Sequence, residues 1–84
     1  MQYELVMWHN EVTDTFSFGL KNLKKTAAAF TLDCSESANM VFSESQGKVT
    51  RFIQSGEFAF MMHVEAGEDV EEFTVQYVVI VEEY

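Results

Sequence analysis

Hydrophobic side chains recur at every second position in several short segments of this chain, and this period-two pattern constrains the fold more than any other feature. It is clearest in Thr15–Leu20, where Phe16, Phe18 and Leu20 alternate with Thr, Ser and Gly. Because successive side chains of a β-strand point to opposite faces, the segment predicts a strand with one buried face. Val, Ile and Thr far outnumber Leu, which also favours strands over helices.

The same pattern, interrupted by Gly, Asn, Asp and Ser, predicts about seven strands joined by short polar connections. The predicted strands are Tyr3–Trp8, Thr15–Leu20, Thr26–Cys34, Asn39–Ser43, Lys48–Gln54, Phe58–Val64 and Phe73–Val81. A helix is the alternative for Lys24–Phe30, because alanine favours helices, but the segment lacks a second apolar stripe at helical spacing. The sequence therefore predicts an all-β antiparallel β-sandwich of about seven strands, immunoglobulin-like or C2-like, with residues 1–84 as a single domain.

Acidic residues dominate the charge, since 14 Asp and Glu against 5 Lys and Arg give a net charge of −9. Nucleic-acid binding is not expected, because it requires basic residues that displace counterions from phosphate. An anionic membrane surface is not expected as a partner either, because it would repel an acidic chain, and no apolar run approaches the ~20 residues of a membrane span. The single cysteine excludes an internal disulfide, and the N-terminus lacks the basic start of a signal peptide. These features predict an intracellular, cytoplasmic protein.

Two predicted strands are apolar on both faces, although a half-exposed strand should carry polar groups on its outer face. The residues of segment 58–64 expected to face the core are Phe58, Phe60, Met62 and Val64. The apolar residues expected to face outward are Ala59 and Met61 in this strand and Val78 and Ile80 in the last strand. One interpretation is that both are central strands flanked by loops. The other is that these four outward residues dock on a protein partner, a neighbouring domain or a second copy, which would make a homodimer.

An acidic segment separates the last two predicted strands and carries five carboxylates: Glu65, Glu68, Asp69, Glu71 and Glu72. If every strand spans the full height of the sandwich, this segment shares one end with Lys21–Lys25 and Lys48. The charges would then either neutralise each other or leave the acidic segment to attract a basic partner.

Calcium binding is the alternative use of the acidic segment, because hard cations prefer clustered oxygen ligands. The segment lacks the alternating Asp and Asn pattern of an EF-hand, and no zinc-ligand spacing is present. No metal site or other cofactor is therefore predicted, and a calcium-responsive regulatory domain stays the alternative function.

Cys34, His9 and His63 are the residue types of a cysteine-protease site. A nucleophilic thiolate must lie against an imidazole, usually in a cleft between lobes, and a small sandwich has little room for one. Cys34 shares an alternation face with Phe30 and Leu32, which predicts a buried and inert thiol. We therefore expect no catalytic residues in this chain.

The segment Leu32–Ser43, with Gly47 after it, resembles the C-terminal C2-like β-sandwich of calpain-like proteins, most closely the small-optic-lobes type. In that family an aspartate-cysteine-serine stretch precedes an asparagine and a serine-glycine turn, as residues 33–35 precede Asn39 here. The likeness spans residues 14–64 and departs from the family where Ser55 replaces the usual proline.

That resemblance implies a noncatalytic accessory domain that packs on a protease core, and in some members contributes to a calcium or phospholipid response. The protease's own Cys, His and Asn motifs are not matched, so no catalytic role transfers to Cys34. The sequence thus predicts a noncatalytic protein-interaction or regulatory module, whose parent protein could be a calpain-like cysteine protease.

Overall fold

The computed structural model describes residues 2–67 and 71–83 and confirms the predicted all-β architecture. Seven strands form two antiparallel sheets with a shared core: β1 (Tyr3–Asn10), β2 (Thr15–Asn22), β3 (Ala28–Asp33), β4 (Met40–Phe42), β5 (Lys48–Ile53), β6 (Phe58–Ala66) and β7 (Val78–Glu83). The four-stranded sheet has the order β1-β2-β6-β4 and the three-stranded sheet the order β5-β3-β7. A one-turn 3-10 helix occupies Ser45–Gly47. Among the described residues, no helix has the length and hydrophobicity needed to cross a membrane.

The structure decides between the two alternatives for one segment and corrects the start of the last strand. The helical alternative for Lys24–Phe30 is wrong, because β3 begins at Ala28, and both Ala28 and Ala29 are buried between neighbouring strands. The last strand begins at Val78 rather than at Phe73, and residues 73–77 form a single isolated bridge, between Thr74 and Ala38. The side chains of Phe73 and Val75 still pack against the core, which accounts for the alternation seen before the strand begins.

The hydrophobic core lies between the inner faces of the two sheets. Phe18 and Leu20 of β2 pack there with Phe30 and Leu32 of β3, and all four are fully buried. Removing one such side chain from water stabilises a fold by about 1.5–3 kcal/mol. The core therefore accounts for the spacing of the apolar residues in β2 and β3.

A β-bulge in β6 interrupts the alternation of its side chains. Phe18 pairs with Met62 and Gly19 pairs with Phe60, so Met61 is an extra residue on the β6 side. Both Met61 and Met62 are fully buried. Successive side chains of a strand point to opposite faces. One inserted residue therefore reverses the faces of all residues that precede it in β6.

The bulge corrects the predicted faces of β6. Phe58 and Phe60 were expected in the core but are 49% and 44% exposed. Met61 was expected on the outer face, and that expectation is wrong because its side chain is fully buried. Ala59 is half-buried and packs against the core, so it does not face outward either.

The two ends of the sandwich carry different charges. The connections after β1, β3 and β6 lie at one end, here called the acidic end. This end carries six carboxylates: Glu11, Asp14, Glu36, Glu65, Glu71 and Glu72. The opposite end, here called the lysine end, carries Lys21, Lys24 and Lys25 together with Glu4, Glu57 and Glu82.

The lysines were expected beside the acidic segment, and this expectation is wrong for Lys21–Lys25. The strand β4 has three residues and does not cross the height of its sheet. The chain therefore enters β5 at Lys48, opposite Asp33, on the same end that β3 has just reached. Lys48 alone among the predicted lysines shares the acidic end, and Lys21–Lys25 lies at the other.

Asn22 joins the two sheets at the lysine end. Its side-chain Nδ2 donates hydrogen bonds to the carbonyls of Thr26 at 3.0 Å and Ile53 at 2.9 Å, and its Oδ1 accepts one from the N–H of Lys24 at 2.8 Å. Its backbone N–H donates to the carbonyl of Glu57 at 2.9 Å. The side chain is fully buried with all of these partners in place, so it replaces water for three backbone groups.

Candidate functional site

The four residues predicted to form one apolar docking face lie in different places. Ala59 and Met61 belong to β6 in the four-stranded sheet, and both point toward the core. Val78 and Ile80 belong to β7 in the three-stranded sheet and are 56% and 43% exposed, so their outward orientation is confirmed. The outer faces of the two sheets look in opposite directions, and these residues therefore cannot form one surface.

Three exposed aromatic side chains lie together on the outer face of the four-stranded sheet. This aromatic face consists of Trp8, Phe58 and Phe60, which are 50%, 49% and 44% exposed. The rings of Trp8 and Phe58 meet edge to face with centroids 5.9 Å apart. A soluble monomer seldom exposes large apolar side chains side by side, and such groups mark interaction surfaces.

Gly19 makes room for the aromatic face at the centre of the sheet. The ring of Phe58 lies over Gly19, and a Cβ atom at residue 19 would overlap that ring. Glycine here therefore serves close packing, which is one of its characteristic uses in a strand. The far end of the Phe58 ring therefore lies over β2, and the ring reaches Trp8 on β1.

His63 continues the outer face from the aromatic face toward the acidic end. Its ring lies 4.7 Å from the ring of Phe60, measured between centroids, and its Nδ1 forms a 2.9 Å hydrogen bond with Ser17 Oγ. Ser43 binds the backbone of His63 twice, accepting its N–H on Oγ at 2.9 Å and donating its own N–H to the carbonyl at 3.0 Å. These contacts fix the histidine ring beside Phe60.

A depression of about 250 Å³ opens next to His63 on the same face. This acidic cleft is lined by Thr15, Val41, Phe42, Ser43, His63 and Glu65. Val41 is 52% exposed and supplies an apolar wall, while Glu65 supplies a carboxylate at the rim. The cleft can thus hold a side chain with an apolar stem and a positively charged head.

The acidic segment begins at this cleft. Glu65, Glu71 and Glu72 are exposed, and the carbonyl of Glu72 accepts a 3.0 Å hydrogen bond from Asn39 Nδ2. Glu68 and Asp69 lie outside the described residues. In the part of the chain that the structure describes, no three metal-binding side chains come together, and calcium binding by the segment stays a prediction.

Cys34 is fully buried, as its alternation face predicts. Its backbone N–H donates a 2.7 Å hydrogen bond to the carbonyl of Gly47. In the turn that follows, Ser35 donates two hydrogen bonds to the carboxylate of Asp33, one from its N–H at 2.9 Å and one from its Oγ–H at 2.6 Å. Those two bonds hold the pKa of Asp33 below its usual value. Burial, and secondarily the charge of Asp33, raise the pKa of the Cys34 thiol to about 11. A nucleophile needs a thiolate, which this environment disfavours.

We expect the raised pKa of Cys34 to make the protein less stable at alkaline pH. The thiol of Cys34 loses its proton near pH 9.0 in the unfolded chain but only near pH 11 in the folded protein. The stability that the protonated thiol contributes is therefore complete below pH 9.0 and is lost as the pH rises toward 11. Over that window the free energy of unfolding should fall by roughly 1.4 kcal/mol per pH unit relative to Cys34→Ala. Urea unfolding of both proteins at several pH values measures this difference, and parallel pH curves for the two proteins would contradict it.

Sequence reasoning missed the aromatic face, because no local pattern in residues 58–64 marks the bulge. Strict alternation placed Phe58 and Phe60 in the core, because an inserted residue cannot be recognised from period two alone. Phe18 pairs with Met62 and Gly19 pairs with Phe60, and only this pairing shows that Met61 is inserted.

The chain was also compared with known proteins. No family model matches it, and no curated protein and no solved structure matches it either.

Proposed function

We propose that this domain is a noncatalytic protein-interaction module that binds its partner on the outer face of the four-stranded sheet. The observation that supports this most directly is the aromatic face, in which Trp8, Phe58 and Phe60 are each about half exposed on the same side of one sheet. Aromatic residues dominate the energetics of protein interfaces because they bury a large area at little conformational cost.

The partner we propose is a basic protein segment that carries bulky apolar side chains. The apolar side chains would cover the aromatic face, and a lysine or arginine would enter the acidic cleft, with its stem on Val41 and its charge at Glu65. The net charge of −9 and the acidic end would attract such a segment from a distance and accelerate its association. The resemblance to calpain-like accessory domains makes a calpain-like protease core one partner to test.

A noncatalytic role agrees with the surroundings of the nucleophile candidate. Cys34 has no exposed surface, and its pKa is raised rather than lowered. Both histidines lie on or near the surface in other hydrogen bonds, His9 with Asp14 and His63 with Ser17. The chemistry on the outer face therefore favours binding over catalysis.

Titration with designed peptides tests the proposal through the single tryptophan, which lies on the proposed surface. A peptide that combines Lys and Phe should shift the emission of Trp8, and a peptide of the same length with Glu in place of Lys should not. Phe60→Ser and Glu65→Lys should each weaken binding by about tenfold or more, because they remove an aromatic anchor and invert the charge of the cleft.

Phe52→Ser is the matched control, because Phe52 is 56% exposed on the outer face of the other sheet. It makes the same chemical change and should leave the peptide affinity unaltered. Equal losses for Phe52→Ser and Phe60→Ser, or equal affinity for the Lys and Glu peptides, would overturn the proposal. Circular dichroism of each variant establishes that it is folded.

A further inference from the structure

The strand β1 is the least protected of the four edge strands. It has eight residues, whereas β4 has three. The edge strand β5 contains Lys48 and Arg51, and β7 ends in two glutamates, but β1 contains no lysine, arginine or proline and has one carboxylate, Glu4. Natural sheets usually protect their edges with such charges, with proline or with short strands, so a long edge without them is a surface for strand pairing.

The hydrogen-bond pattern shows which backbone groups of β1 face this edge. Leu23 donates its N–H to the carbonyl of Gln2, whereas the N–H of Asn22 bonds toward Glu57 on the other side. The even-numbered residues of β1 therefore bond to β2, since bonding partners alternate along an antiparallel ladder. The N–H and C=O groups of Tyr3, Leu5, Met7 and His9 point away from β2, and no described residue pairs with them.

We propose that two copies of this chain pair through β1, antiparallel about a twofold axis at Val6, to form one continuous eight-stranded sheet. This register places Tyr3 opposite His9 of the second copy and Leu5 opposite Met7, so all four residues with outward backbone groups become hydrogen-bonded pairs. A register shifted by one residue would place the outward backbone groups of the odd-numbered residues opposite even-numbered residues, whose backbone groups already bond to β2. A register shifted by two residues would leave one of the four odd-numbered residues without a partner. Inward side chains also remain opposite inward ones, as both cores require.

The placement of charge favours a second copy as the occupant, because antiparallel pairing keeps the two acidic ends apart. The domain is elongated, with a longest dimension of 44 Å, and its acidic and lysine ends lie at the two ends of β1. Antiparallel pairing sets the acidic end of each copy beside the lysine end of the other. The turn with Glu11 and Asp14 of one copy then lies near Leu23–Lys25 of its partner, which offsets part of the repulsion between two chains of charge −9. Glu4 lies opposite Trp8 of the second copy, so the two Glu4 carboxylates do not face each other across the axis.

This pairing is independent of the proposed peptide-binding function but has a consequence for it. A twofold axis perpendicular to the sheet puts both outer faces on the same side. Two aromatic faces would then share one continuous surface, and a partner with two binding segments would gain from binding both at once.

Cysteine cross-linking tests the register directly. Val6→Cys places two thiols opposite each other on the twofold axis, where the Cα atoms of a non-hydrogen-bonded pair lie about 4.5 Å apart and within disulfide range. Mild oxidation should therefore produce a covalent dimer. Glu4→Cys is the matched control, because residue 4 faces residue 8 of the other copy, and it should cross-link about tenfold more slowly or not at all. The native Cys34 is buried and should not contribute.

Sedimentation at concentrations from about 10 μM to about 1 mM provides the second measurement. The unmodified protein should show a monomer–dimer equilibrium, and Val6→Lys should weaken dimerisation by about tenfold or more because it opposes two ammonium groups. Val6→Thr keeps the branched shape without the charge and should still dimerise. Equal cross-linking of the two cysteine variants, a monomer throughout the range, or a dimer unaffected by Val6→Lys would overturn the inference, whatever the peptide titration shows.

Discussion

Replacing Met61 by glutamate should unfold this domain, whereas the same replacement of the adjacent Phe60 should leave it folded. Met61 is fully buried at the bulge, and a carboxylate there would lie in the core without a partner. Such a change costs about 4 kcal/mol or more, a large part of the ~5–15 kcal/mol that stabilises a typical domain. Phe60 is 44% exposed, so a glutamate at that position remains in water.

Urea unfolding followed by circular dichroism distinguishes the two variants. Met61→Glu should lose the cooperative transition or shift its midpoint by ~2 M or more, and Phe60→Glu should shift it by less than ~1 M. Strict alternation of β6 predicts the opposite order, with Phe60 in the core and Met61 outside. If Met61→Glu were stable and Phe60→Glu unfolded, β6 would not contain the bulge that buries Met61.

The second large effect is expected at Asn22, where aspartate should destabilise the domain more than alanine. Alanine removes three hydrogen bonds and leaves the carbonyls of Thr26 and Ile53 without their donor, at a cost of about 3 kcal/mol. Aspartate keeps the acceptor for Lys24 but turns a buried carboxylate oxygen toward those two carbonyls. Repulsion and lost solvation then add to the missing bonds, and we expect a total of about 4 kcal/mol or more at neutral pH.

Chemical denaturation at pH 7 measures both variants against Asn10→Ala. The Oδ1 of Asn10 accepts an exposed hydrogen bond from the N–H of Val12 at 3.0 Å, and the loss of this bond should cost less than about 1 kcal/mol. An Asn22→Asp protein as stable as the parent chain would show that the side chain of residue 22 does not join the two sheets in the way described.

The elements of this fold were largely predictable, because local patterns specify strands. Phe16, Phe18 and Leu20 alternate without interruption, and β2 forms where their spacing indicates. The buried state of Cys34 followed from the same argument. The candidate site was not predictable, since Ala59 and Met61 were assigned to the wrong face and combined with Val78 and Ile80 of the other sheet. Strand order and pairing depend on contacts between distant segments, which periodicity does not reveal.

By itself the sequence determined that this chain folds as an antiparallel β-sandwich with a strong negative charge, because side-chain alternation and charge are properties of short segments and of composition. Only the tertiary structure decided which residues of β6 reach the surface. One extra residue between Phe60 and Met62 reverses the faces of half a strand, and that residue becomes visible only beside its partner Phe18. The short strand β4 likewise decides which charged connections share an end. Both effects arise from pairing between segments far apart in the chain, and so does the aromatic face formed by Trp8, Phe58 and Phe60.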